Sequence, residues 1–221
     1  MLQLLTMVLI PLMVLVQPTS GQAVTLLSAN LTNSQEVPLP GPLTTTTGAP
    51  RPTSFGTATF VLNDAQTAMT FSATIFNIDI TGSQTADTND NLLNAHIHAS
   101  ATVTPTTTAP VVWGFFGTPF NDNNPNDVVV TPFATGVGGT ISGKWDAPEG
   151  NGTTLTAQLP NILSGHSYIN FHTVQNPTGE IRGAIQVVPE PSTMALLGSG
   201  VVGLLGYGWR RLRTGISPRN E

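Results

Sequence analysis

Four histidines and no cysteine stand in this 221-residue chain, so any transition-metal chemistry must come from imidazole. Two of them, His96 and His98, sit in Ala95-His96-Ile97-His98-Ala99, where small and apolar residues alternate with polar ones. Alternation of period two reads as a strand, and residues two apart then leave the same face about 6.5 Å apart at the backbone. Two such rings can converge on one ion. A third, His172, lies in Tyr168-Ile169-Asn170-Phe171-His172-Thr173, followed by Asn176-Pro177-Thr178-Gly179 and Glu180-Ile181-Arg182-Gly183. Pro presets φ and Gly tolerates positive φ, so this stretch is expected to be a β-hairpin. Ile169, Phe171 and Thr173 then face one way, and Tyr168, Asn170 and His172 the other. With Phe171 opposite Gly183, His172 is expected across from Arg182.

His96, His98 and His172 together would make a three-histidine site with an open position. Asn170, Glu180 and Arg182 are the expected neighbours that orient the rings. Imidazole suits copper or zinc as well as iron or nickel, and spacing does not choose among them. The same rings serve equally as a polar seam, hydrogen-bonded across the sheet to Thr, Asn and Glu180, so both readings stay open. His166, in Ser-Gly-His-Ser, reads as a solvent-facing turn residue. Asp87, Asp90, Asp122 and Asp127 lie in Asn/Asp loops without the regular spacing of a calcium loop. No Gly-x-Ser-x-Gly elbow frames a nucleophile, and no enzymatic activity is expected.

The elements that position these residues are short strands. Runs at 24–31, 55–63, 69–75, 95–103, 111–116, 139–145 and 153–159 are separated by turn residues, with one helical turn allowed at 160–164. Residues 39–54, rich in Pro, Thr and Gly, read as a loop against the surface. The expected fold is all-β, an immunoglobulin-like antiparallel β-sandwich, with a closed barrel as the alternative. Only 9% of residues are charged, against roughly 25% in an average domain, so Thr, Ser, Asn and Gln must cover the surface. The net charge is −5, and between 24 and 188 only Arg51, Lys144 and Arg182 face ten acids (twelve less Glu190 and Glu221). Nucleic-acid binding by charge is excluded.

Residues 1–23 read as a secretory signal peptide: an apolar run from Leu2 to Val16, then small residues at Gly21-Gln22-Ala23. After the body, 24–188, comes a second apolar segment. Val188-Pro189-Glu190-Pro191 precedes Met194 to Trp209, and the basic cluster Arg210, Arg211, Arg213 follows. As a helix at about 1.5 Å per residue it barely crosses a ~30 Å core, and its flanking arginines favour the cytoplasmic side. A polar tail, 214–221, ends the chain.

The segment 189–213 resembles the bacterial PEP-CTERM sorting signal, with its motif, apolar transmembrane helix and arginines in this order. The resemblance implies an exosortase-type membrane protease as partner, transient anchoring in the inner membrane, and delivery to the envelope surface or outside the cell. The body resembles the CHRD (chordin-type) domain through Leu27-Ser28-Ala29-Asn30, Gln35-Glu36-Val37-Pro38, Gly56-Thr57-Ala58, Ala95-His96-Ile97-His98 and the hairpin from His172 to Gly183. That resemblance implies an extracellular immunoglobulin-like β-sandwich module. His-x-His on a strand of a sandwich is also similar to the copper site of Cu,Zn superoxide dismutase, an analogy of fold alone. Together these imply an exported module of structural or binding role, with exopolysaccharide or other surface proteins as partners. The alternative is a metal-binding, redox-active protein using the three histidines.

Overall fold

The computed structural model describes residues 24–189 and 199–205, together with Tyr207 and Trp209. Within the described residues 24–189, ten strands and one α-helix follow in order: β1 Thr25–Thr32, β2 Phe55–Leu62, β3 Ala68–Phe76, β4 Leu92–Ala99, β5 Val111–Phe116, β6 Val129–Pro132, β7 Gly138–Asp146, α1 Leu155–Leu163, β8 Ser167–Thr173, β9 Ile181–Ala184 and β10 Gln186–Val187. All pairings between these strands are antiparallel.

The strands form one sheet where two were expected. Its order is β5-β4-β8-β9-β1-β2-β3-β7-β6, with β10 also on β1. The join is β1, which pairs with β2 on one side and with β9 and β10 on the other. Thr32 opposite Arg182 carries the ladder across, so the strands run as one curled antiparallel sheet.

Curling brings the two ends of the sheet over one another around an aromatic centre. Phe71 of β3 lies 4.6 Å from Phe115 and 5.6 Å from Trp113, both on β5. Trp113 stacks on Trp145 of β7 at 5.4 Å, and Phe115 meets Phe171 of β8 at 5.8 Å. Each such buried aromatic or aliphatic side chain stabilises the fold by about 1.5–3 kcal/mol.

The expected strand at 153–159 is helix α1. Thr154 caps it, its hydroxyl accepting from Ala157 N at 3.2 Å, and Leu155, Leu159 and Ile162 bury one helical face. Strand β6 was not foreseen; it is short and mostly exposed.

Along β2, β3 and β7 the outer face is nearly uncharged. One row runs Asn30, Thr57, Thr74, Thr140 and Thr131 across five strands. The expected signal peptide, 1–23, lies outside the described residues, as do Glu190, Pro191, Arg210, Arg211, Arg213 and the tail 214–221. Residues 199–205 are helical. Among the described residues no helix is long and apolar enough to cross a membrane, and much of the expected transmembrane segment lies outside them.

Candidate metal centre

Strand β8 is buried on both faces, and this defines the site. Ile169 and Phe171 enter the apolar core. Tyr168, Asn170 and His172 enter a second, polar layer beneath the loops that flank β5 and the β8–β9 turn. The register sets His96 beside Asn170 and His98 beside Tyr168 on β4, and Asn170 beside Arg182 on β9. The expected hairpin register is off by two residues: Phe171 faces Ile181 and Ile169 faces Gly183. The cause is a longer connection, in which Glu180 N returns to Phe171 O and Gly179 N to Asn176 O. A slip of two leaves every side chain on its expected face, where a slip of one would reverse them.

The three imidazoles therefore share one face and meet. One ring nitrogen from each of His96, His98 and His172 lies within 4.8 Å of the others. All three residues are buried. Ring centroids are 5.0 Å apart for His96 and His172, and 5.8 Å for His96 and His98. His98 also stacks nearly parallel on Tyr168 at 4.6 Å.

Hydrogen bonding decides what those nitrogens can do. His96 Nε2 lies 2.9 Å from Thr118 O, His98 Nδ1 2.8 Å from Ala109 O, and His172 Nδ1 3.0 Å from Pro177 O. A carbonyl oxygen only accepts, so each of these ring nitrogens carries the proton and donates. In a neutral imidazole the other nitrogen then holds a lone pair. The inward atoms are thus His96 Nδ1, His98 Nε2 and His172 Nε2, all acceptors. His96 Nδ1 and His172 Nε2 face each other at 3.3 Å, and His98 Nε2 is buried without a hydrogen-bond partner.

A proton cannot easily fill the gap. Burial, and then the proximity of His172, hold His96 down to about 4; burial foremost holds His98 to about 4; burial lowers His172 as well. Removing a charged imidazole from water disfavours the imidazolium.

The expected ring-orienting residues lie elsewhere in the layer. Asn170 donates to Glu36 Oε2 at 3.4 Å, and its own Oδ1 has no partner. Arg182 lies 3.7 Å over the Tyr168 ring and donates to Thr104 O. Glu180 bonds Arg51, Ser54, Thr173 and Asn176, none of them an imidazole. Backbone carbonyls orient the rings in their place. His166 is half-buried beside Ser164 and apart from the site. Sequence reasoning missed Glu36, a buried carboxyl that burial, only partly offset by Arg182, pushes up to about 8. Gln35-Glu36-Val37-Pro38 was in view, yet nothing in it points across 134 residues to Asn170.

The four acids of the Asn/Asp loops do not assemble with one another. Asp90 accepts from Thr85, and Asp87 from Thr46 N. Asp122 accepts from Asp127 N and Val128 N, while Asp127 pairs with Lys144.

Comparison with known families completes the picture. The CHRD domain model matches residues 27–185, nearly the whole curled sheet. The chain belongs to the CHRD-domain family. The PEP-CTERM protein-sorting motif matches residues 187–213, directly after the CHRD body, and implies export, envelope association and processing by an exosortase. Neither the curated proteins nor the solved structures offer a match to the chain.

Proposed function

We propose that this exported CHRD protein is a metal-binding module, in which His96, His98 and His172 hold one copper or zinc ion and the PEP-CTERM tail delivers it to the envelope or its matrix. One observation carries the reading: three buried imidazoles, each pinned by a backbone carbonyl, turn three unprotonated nitrogens towards one another. Zinc–imidazole bonds of about 2.0–2.1 Å put neighbouring nitrogens about 3.3–3.5 Å apart in a tetrahedral site. The His96–His172 pair already has that separation. Carbonyl-bound N–H groups on the far side are the usual support of metal-bound histidine.

A purely structural or glycan-binding role rests on composition and on the hydroxyl-rich outer face, and it gives the three facing lone pairs nothing to do. Elemental analysis of the exported protein, purified without chelator, distinguishes the two. One equivalent of metal is expected, lost in His96→Ala, His98→Ala and His172→Ala and kept in His166→Ala. Metal-free protein that also fails to take up copper or zinc in titration contradicts the proposal.

A further inference from the structure

The sorting-motif match begins at residue 187, inside the sheet. Val187 pairs with Leu27, and Val188 N donates to Leu26 O at 2.8 Å. The next residue is Pro189, so the last strand runs into the Pro-Glu-Pro motif with no linker. At no more than roughly 3.5 Å per residue, the chain can carry residue 190 at most about 7 Å from that final hydrogen bond, and residue 194, where the apolar run begins, at most about 20 Å. Whatever reads the motif meets the folded body at this edge.

The edge is chemically distinct. Leu26 pairs with Val61, and Val61 with Thr70. Extending the β1–β10 register by one residue puts Val188 beside Leu26 on the outer face, and Val24 lies two residues before Leu26 on that face. Val24, Leu26, Val61 and Val188 are 39–49% exposed. Ser28, Asn30, Thr57, Thr59, Ser72 and Thr74 separate the four aliphatics from a second apolar patch, Phe55 stacked on Phe76, at the far end of the face, so the four form their own island where the motif departs. Nothing in the described fold covers it.

We infer that this island, centred on Leu26 and Val61, docks the CHRD body against the membrane protease that processes the sorting motif. The short tether favours the protease as occupant: a partner engaging residues so close to Val188 must also touch their neighbours in the sheet. The inference rests on the sorting signal and is independent of the metal site.

Pulse-chase of the full chain in a host with the protease tests it, reading the processed fraction with time. Leu26→Asp/Val61→Asp is expected to slow processing about tenfold, the scale of losing an apolar anchor from an interface. Because Leu26 and Val61 are cross-strand partners, the two aspartates repel and lower the unfolding temperature. Leu26→Thr/Val61→Thr, which keeps strand-forming side chains and the native unfolding temperature, is therefore run beside that variant and should slow processing likewise. Phe55→Asp, at the far end of the same strand β2, is expected to process normally. A photo-crosslinker at position 61 should capture the protease.

Normal processing of Leu26→Asp/Val61→Asp overturns the inference. So does equal slowing by Phe55→Asp, or crosslinking to lipid alone, which would assign the island to the bilayer. Loss of the sorting reading has a separate signature, normal processing of Glu190→Ala.

Discussion

Two buried polar clusters lie on the same hairpin, and they are built in opposite ways. Around Glu180, supply of donors matches demand. Its carboxylate accepts from both terminal nitrogens of Arg51, from the Ser54 hydroxyl, from Thr173 Oγ1 at 2.6 Å and from Asn176 Nδ2 at 2.9 Å. Arg51 in turn donates to Gln175 Oε1 and Thr44 O. Around His172, a few residues away, donors run short. His96 Nδ1, His172 Nε2, His98 Nε2 and Asn170 Oδ1 are all acceptors with no proton aimed at them. Buried polar atoms are normally paired, so the first cluster explains itself and the second points beyond the protein. Arg51 and Glu180 hold the Pro/Thr-rich loop onto the turn. The histidine layer supplies the lone pairs that the proposed cation would take up.

The contrast can be broken or sharpened by experiment. Glu180→Ala should have the largest effect, since it strands the buried Arg51 guanidinium. A loss of about 3–5 kcal/mol in denaturant unfolding is expected. A loss below about 1 kcal/mol would mean that the network contributes little.

The histidine layer should show itself next, as a pH dependence of the metal-free protein. His96 and His98 titrate near 4 when folded and near 6.5 when unfolded, so between those values the unfolded chain binds more protons. Stability is complete above pH 6.5 and falls as pH drops towards 4. Each unit of separation is worth about 1.4 kcal/mol, so the fall amounts to a few kcal/mol. A flat profile over this window, in unfolding curves recorded with chelator, contradicts neutral buried rings.

Glu36 should give an effect of comparable size and opposite sign. Its folded value near 8 lies above the unfolded 4.5, so the stability it contributes is present at low pH and is lost as pH rises through 8. That loss spans pH 4.5 to 8 and opposes the histidines below 6.5, so Glu36→Gln is expected to flatten the profile above pH 6.5 and to steepen the fall below it. A Glu36→Gln variant that instead becomes less stable at pH 8 would mean the carboxylate is needed ionised.

Much of this was legible in the residues. Strict alternation in 95–99 and 168–173 assigns each histidine a face, and that assignment survives the two-residue error in hairpin register. Other features are invisible for physical reasons. The donors' partners are the carbonyls of Ala109, Thr118 and Pro177, and every residue has a carbonyl, so no side-chain pattern announces them. Arg51 and Glu180 meet across 129 residues, a pairing that depends on how the sheet curls. Thr153-Thr154-Leu155-Thr156 has the β-branched composition of a strand. Its helical fate turns on Thr154 as a cap and on apolar spacing that continues past Pro160 to Ile162. One sheet or two hinges on how β1 meets β9 and β10, through Thr32 with Arg182, Leu27 with Val187 and Ser28 with Gln186.

The account depends most on where three protons sit, and nitrogen-15 NMR of the imidazoles reads this directly. In the metal-free protein at pH 7, His96 should be the Nε2–H tautomer, and His98 and His172 the less common Nδ1–H tautomer. On adding one equivalent of zinc, the unprotonated nitrogen of each ring should shift while the protonated one stays in place. An imidazolium within the trio, the opposite tautomers, or spectra indifferent to metal would contradict the claim that these rings form a vacant set of ligands.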